Sequence, residues 1–265
     1  MTSTPPSPDP ALPRLDDRVV IVSGASRGIG KGVALGLADA GAAVVCAARS
    51  TRARPGELPG TVEDVAEEIV ARGGRAVAVG CDIGVDADVE RMVSTALDAF
   101  GRLDVLINNA MTPTRAVFDE LSLEQWDASW RINVRSLLVS CRSAAVAMTE
   151  GGSIVNVSSG AADPNLPPEW MPPGYLAYSV AKAALERFST VLAPEVADRD
   201  IAVNALRPGA VKTEMTVHEL GADADWSGWN APADVVPQFH FLALQRSDGV
   251  TGRILDVSGY GSLWG

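Results

Sequence analysis

From Arg18 onward, short apolar runs alternate with amphipathic segments of helix length. Val19-Val20-Ile21-Val22 is the first run, and it ends in a glycine turn. The pattern returns at 42–48, 76–81, 103–108, 153–158, 201–206 and 253–257, which gives seven strands. The runs are almost continuously apolar, as expected of strands covered on both faces. Helix-length segments fill the intervals at 29–41, 62–73, 86–100, 122–149, 178–197 and 232–245. Regular strand–helix alternation predicts an α/β fold, a doubly wound parallel sheet of seven strands with helices on both faces.

Two stretches break the rhythm. Residues 161–174 hold five prolines and follow neither period, so they read as an inserted loop. Residues 212–231 mix Met215, His218, Trp226 and Trp229 and read as a lid or short helical excursion over substrate. At the other end, Pro5, Pro6, Pro8, Pro10 and Pro13 fall in a segment without an apolar core. That composition predicts a flexible tail over 1–16 rather than a secretory signal. With no internal repeat, residues 17–265 form one predicted domain.

Composition narrows the function. A hydrophobic share of 47% is enough to fill a large core. The net charge of −11 argues against nucleic acid and against anionic membranes. No apolar stretch approaches the ~20 residues of a membrane span. Cys46, Cys81 and Cys141 are scattered, and His218 and His240 are the only histidines, so no metal-ligand spacing exists and no metal is expected. The cysteines read as reduced core residues of a cytoplasmic protein.

Two segments carry chemistry. After the first strand comes Ser23-Gly24-Ala25-Ser26-Arg27-Gly28-Ile29-Gly30. Glycines between a strand and a helix let backbone approach a pyrophosphate, and the helix N-terminus offers free N–H donors. The second strand ends Ala48-Arg49-Ser50, with no carboxylate to take adenosine ribose hydroxyls. Arg27 and Arg49 instead suit a 2′-phosphate, so NADP(H) is the expected cofactor, with NAD(H) possible. Far downstream, Tyr178 and Lys182 stand four residues apart and share a helix face. A nearby ammonium lowers a phenol from its usual value of about 10, which suits it to exchange protons with a carbonyl or alcohol oxygen.

These motifs fall in a specific order: Gly24-x-x-x-Gly28-x-Gly30, Asp82, Asn108-Asn109-Ala110, Asn133, Ser158-Ser159, Tyr178-x-x-x-Lys182 and Pro208-Gly209. In this the chain resembles the short-chain dehydrogenase/reductase family over residues 17–262, which implies a Rossmann-like sheet. The resemblance implies a catalytic set of Asn133, Ser159, Tyr178 and Lys182. Tyr178 would be the general acid of reduction and base of oxidation. Lys182 would bind the nicotinamide ribose, Ser159 would steady the substrate oxygen, and Asn133 would hold a water leading to Lys182. It also implies that Asp82 and Ile83 meet the adenine, that Asn109 and Ala110 line the adenosine ribose, and that 208–213 wrap the nicotinamide. In that last segment Val211 and Thr213 would lie near the carboxamide, beside Pro208 and Gly209. Assembly as a homodimer or homotetramer through the helices at 122–149 and 178–197 is implied as well.

The sequence departs from the family pattern in three places. Ser23 replaces a threonine, Met111 replaces a glycine, and the proline-rich insertion lengthens the interval from Ser159 to Tyr178. Tyr175 has no lysine four residues on and reads as pocket wall. With Met215, Trp226 and Trp229 it forms the expected substrate surface, and Trp170 and Met171 also point to an apolar or cyclic ketone. A reductase of 3-oxoacyl thioesters is the alternative enzyme, and a non-catalytic nucleotide-binding regulator the alternative outside enzymes. Scarce Lys and Arg in both loops weigh against phosphate-bearing thioesters.

Overall fold

The computed structural model describes residues 12–265. Seven parallel strands form one sheet in the order β3-β2-β1-β4-β5-β6-β7. The strands are β1 (Val19–Ser23), β2 (Ala43–Ala48), β3 (Arg75–Gly80), β4 (Val105–Asn108), β5 (Gly152–Val157), β6 (Ile201–Arg207) and β7 (Ile254–Asp256). All seven expected strands are present. β1, β2, β4 and β5 are buried along their whole length, which explains their unbroken apolar sequences.

Helices α1 (Gly28–Asp39), α2 (Val62–Ala71) and α8 (Val236–Ala243) cover one face, where Leu37, Ile69 and Phe239 join Val20, Val44 and Ile107 in one cluster. Helices α3 (Asp86–Phe100), α5 (Ser136–Ala147) and α6 (Leu176–Glu195) cover the other, where Met92, Val139 and Ala193 meet Ile21, Leu106 and Ile154. The chain order reverses between β1 and β4. That switch point opens a crevice at the carboxyl ends of the strands, where doubly wound sheets bind ligands.

The single helix expected over 122–149 is three pieces. Helix α4 (Leu123–Trp130) runs into a π-helical turn, Arg131–Arg135, and only then into α5. A π turn inserts one extra residue per turn and often marks a functional site. Here it contains Asn133 and directs that side chain into the protein.

The tail expected through residue 16 ends earlier. Leu15 is fully buried, and its N–H donates to the Ala40 carbonyl at 2.9 Å. Burying a leucine contributes about 2 kcal/mol, enough to pin this segment beside α1. Residues 1–11 of the expected tail lie outside the described residues. The proline-rich insertion holds two 3-10 turns, Gly160–Ala162 and Pro168–Trp170, and Trp170 in it is exposed. The lid segment contains a short helix, α7 (Glu214–Leu220), and Val211 bridges to Asn230 to close its ends. Among the described residues no helix is long and apolar enough to cross a membrane.

Candidate active site

A cleft of about 210 Å³ lies at the switch point. The turn after β1 lines it with Gly24, Ser26, Arg27, Gly28 and Ile29. Arg49 follows β2, Asp82 and Ile83 follow β3, and Asn109 and Ala110 follow β4. Thr213 closes it from the far side with Met215, so Met215 belongs to this cleft.

The glycine turn is rigidly built. Gly24 adopts φ +71°, and a Cβ there would lie 2.7 Å from Asn109 Nδ2. That amide donates to the Ser23 carbonyl at 2.9 Å. A Cβ on Gly30 would collide with the Gly24 carbonyl, so helix and turn pack backbone to backbone. Ser23 Oγ donates to the Ile107 carbonyl (3.3 Å) and accepts from the N–H groups of Asn109 and Ala110 (3.0 Å each). It thereby ties β1 to the end of β4. The Gly28 N–H at the start of α1 donates to Glu214 Oε2 at 2.9 Å. A carboxylate therefore already sits where helix geometry favours an anion.

Arg27 lines this cleft but its guanidinium is already engaged, and Val211 and Pro208 are buried beside it. Arg27 does not point into solvent to await a phosphate. Its guanidinium donates to the carbonyls of Leu58 (2.7 Å), Pro59 (3.0 Å) and Gly60 (3.1 Å) and to Ser50 Oγ (3.0 Å). It fastens the loop between β2 and α2, and Arg49 alone stays exposed on the lip. Val211 is buried in the core, so its side chain does not line the cleft. Pro208 is likewise buried, while Gly209 turns with φ +70° beyond β6.

Beside the cleft, α6 presents Tyr178 and Lys182 one turn apart. The Lys182 Nζ lies 5.7 Å from the Tyr178 ring centre and donates to the Val157 carbonyl at 2.6 Å. Lys182 is only 3% exposed, and burial pulls its ammonium down to about 8. The neighbouring Glu186 carboxylate opposes that fall. The phenol of Tyr178 moves the other way. Burial raises it, and the Ser159 hydrogen bond and the charge of Arg115 recover part of the shift. The net direction is therefore upward, opposite to the depression expected from the lysine spacing. Lys182 turns to a backbone carbonyl, and desolvation of the phenolate dominates.

Ser159 lies at the end of β5 with its hydroxyl toward Tyr178, and its Oγ also accepts from the Ala161 N–H at 3.2 Å. Ser158 faces the scaffold and donates to Glu186 Oε1 at 2.7 Å. Asn133 clamps the chain beyond β4. Its Nδ2 donates to the Thr112 carbonyl and its Oδ1 accepts from the Thr112 N–H, both at 3.0 Å. A cavity of about 10 Å³ bounded by Asn133, Lys182, Asn108 and Ser23 lies behind it. That is about the space one water requires.

On the outer side, the Tyr175 ring meets Tyr178 edge-on with centroids 6.0 Å apart. Arg115 stacks on Tyr175 at 3.7 Å and donates to Glu219 of α7 at 2.8 Å. Trp226 and Trp229 pack on each other at 5.1 Å, with Lys212 4.9 Å over Trp226. Their ring partners are therefore each other, not Tyr178. Arg115, Glu214 and Glu219 were not apparent from the sequence, because they sit in stretches without a motif. Glu186 had a signal: it continues the four-residue spacing of Tyr178 and Lys182 on one helix face.

The three cysteines are free and buried, and burial raises each thiol to about 12. Cys81 lines the cleft beside Asp82, Cys141 accepts from Asn108 Nδ2 at 3.5 Å, and each is held as a thiol. Among the described residues no group of three His, Cys, Asp or Glu side chains is placed to hold a metal ion.

Residues 18–223 match the family model described as short chain dehydrogenase. Among curated relatives, the 3-oxoacyl-[acyl-carrier-protein] reductase of Synechocystis sp. is 33% identical, over 92% of this chain and 97% of its own length. Among solved structures, a short chain dehydrogenase from Burkholderia cenocepacia in complex with NADP superposes with a TM-score of 0.80 at 30% identity. The match covers 92% of this chain and 97% of that one. A 7α-hydroxysteroid dehydrogenase complexed with NADH and 7-oxo glycochenodeoxycholic acid gives 0.78 at 28% identity, covering 94% and 95%.

Proposed function

The chain belongs to the short-chain dehydrogenase/reductase family of oxidoreductases, and from that premise we propose that it interconverts a ketone and a secondary alcohol, using NADP(H) and Tyr178 as general acid and base. The observation that carries this reading is the meeting of Ser159, Tyr178 and Lys182 beside the glycine-turn cleft.

The cleft fits a dinucleotide. Its floor is backbone that any Cβ at Gly24 or Gly30 would block, and the Glu214 carboxylate at the Gly28 N–H is a stand-in anion at the pyrophosphate position. Arg49 on the lip is the side chain that would take a 2′-phosphate, and Arg27 supports the loop beside it. The nicotinamide, when bound, supplies the hydride. The protein's part is orientation and proton handling. The Ser159 hydroxyl steadies the carbonyl oxygen. Tyr178, protonated at neutral pH because burial raises it, donates the proton. Lys182 as an ammonium compensates the phenolate left behind, and the water-sized cavity toward Asn133 suits proton return. Reduction therefore declines as pH rises through about 8, where Lys182 loses its charge.

The test is steady-state reduction of cyclic ketones with NADPH and with NADH. Higher catalytic efficiency with NADPH supports the assignment, and equal or higher efficiency with NADH refutes the cofactor choice. The Synechocystis relative favours a second reading, reduction of a 3-oxoacyl thioester. The Arg115–Glu219 pair leaves little net positive charge at the mouth for a phosphate-bearing carrier. Turnover of a 3-oxoacyl thioester above that of every cyclic ketone would reverse the ranking. For assembly, exposed Leu138 and Val146 on α5 and Val191 on α6 suit the expected homodimer or homotetramer faces. A monomer mass in light scattering would count against it.

A further inference from the structure

Helix α6 carries a third polar side chain on the face of Tyr178 and Lys182. Glu186 lies one turn beyond the lysine and is 4% exposed. Its carboxylate accepts three hydrogen bonds: from Ser158 Oγ (2.7 Å), Arg207 Nε (2.7 Å) and Arg207 Nη2 (2.9 Å). Arg207, at the end of β6, also donates to Asp163 at the base of the proline-rich insertion (2.8 Å). Glu186, Asp163, Arg207 and Lys182 thus form a group with two charges of each sign. Removing Glu186 alone would leave an excess positive charge beside a buried ammonium, an expensive arrangement in a low dielectric. The same carboxylate fixes Ser158. Neighbouring residues on a strand end point to opposite sides, so fixing Ser158 inward fixes Ser159 outward.

We propose that Glu186 is a positioning residue of this site: it locks Ser158 so that Ser159 faces Tyr178, and it supplies the counter-charge that keeps Lys182 an ammonium. The assignment rests on the reaction proposed above. Among the groups around Lys182, the carboxylate whose charge acts on its ammonium is Glu186. On α6 these groups are Glu186 and the Tyr178 phenol. β6 contributes Arg207, which is paired both with Glu186 and with Asp163 of the insertion. The π turn and β4 contribute the neutral amides of Asn133 and Asn108. Arg115 and Glu219 act on Tyr178 from the outer side.

The test compares wild type, Glu186→Gln and Ser158→Ala. Three quantities are followed: the pH profile of ketone reduction from 6 to 10, NADPH affinity by nicotinamide fluorescence, and the pH dependence of melting without cofactor. In Glu186→Gln the alkaline decline of kcat moves about one pH unit lower, the size of shift a lost neighbouring charge produces. NADPH affinity stays within about twofold, since Glu186 does not line the cleft. In Ser158→Ala kcat falls at every pH and the decline stays in place. An unmoved decline in Glu186→Gln, or a loss equal at all pH values, overturns the counter-charge role. Unchanged kcat in Ser158→Ala overturns the locking role.

The melting series separates this assignment from the activity itself. Lys182 holds fewer protons folded than unfolded between about 8 and 10.5, so stability rises across that window. The rise starts at lower pH in Glu186→Gln whether or not the protein turns over a ketone. An unchanged onset refutes the charge coupling, whereas wild type without NADPH binding or turnover refutes the proposed reaction. Should Glu186→Gln not fold, Glu186→Asp retains the charge. A decline kept at the wild-type pH then supports the assignment, and a displaced one overturns it.

Discussion

Replacing Lys182 by methionine should abolish turnover and stabilise the protein. Burial depresses the lysine from 10.5 to about 8, a shift of about 2.5. At about 1.4 kcal/mol per unit, the folded state carries a penalty of about 3 kcal/mol at neutral pH for keeping this side chain charged. Methionine has nearly the same length and no charge. It sacrifices the hydrogen bond to the Val157 carbonyl, which costs about 1 kcal/mol. The net gain is about 2 kcal/mol, or roughly 4–8 °C in Tm for a domain of this size. The sign follows from proton counts. The unfolded chain binds the extra proton between about 8 and 10.5, so wild type gains stability with rising pH across that window and the variant does not. The advantage of Lys182→Met is thus complete below pH 8, shrinks as pH rises, and reverses toward pH 10.5, where the lost hydrogen bond outweighs the relieved charge penalty. Melting of both proteins at pH 6.5, 8, 9.5 and 10.5 tests this. A variant less stable than wild type at pH 7, or an advantage independent of pH, would refute the reasoning.

Other perturbations probe the cofactor side. Arg49→Ala should weaken NADPH binding about tenfold and leave NADH nearly unchanged, because one charge-assisted hydrogen bond to a phosphate is lost; fluorescence titration measures both. Glu214→Gln should tighten NADPH several-fold while lowering the melting temperature without cofactor, since the carboxylate competes for the Gly28 N–H at a helix start. Weaker NADPH binding in that variant would mean the carboxylate assists the nucleotide. Gly30→Ala should remove NADPH binding, because its Cβ meets the Gly24 carbonyl and displaces the turn.

Much of this molecule was legible in its sequence because burial on both faces of a parallel sheet writes continuous apolar runs. Val19 to Val22 and Ala43 to Ala48 could hardly be anything else. The glycine turn was legible because backbone contact at Gly30 excludes every side chain. The π turn at Arg131–Arg135 was not, since one extra residue barely disturbs helical periodicity. Arg27 lines the cleft as its position suggested, but its hold on the backbone carbonyls of Leu58 to Gly60 was not legible, because every residue possesses such acceptors. The direction of the Tyr178 shift was hidden for a related reason. Spacing places Lys182 on its face but does not say that the ammonium turns to Val157. Arg115 and Glu219 meet across 104 positions, and no local pattern connects them.

Hydride transfer itself is the most direct test. Wild type and Tyr178→Phe would be incubated with NADPH deuterated at the transferable position and a panel of cyclic ketones, with the alcohol examined by mass spectrometry. Wild type should place deuterium on the carbinol carbon, and Tyr178→Phe should bind NADPH equally yet turn over about 10²–10⁴-fold more slowly. No deuterated alcohol from wild type, or undiminished turnover by Tyr178→Phe, would contradict the assignment of this site.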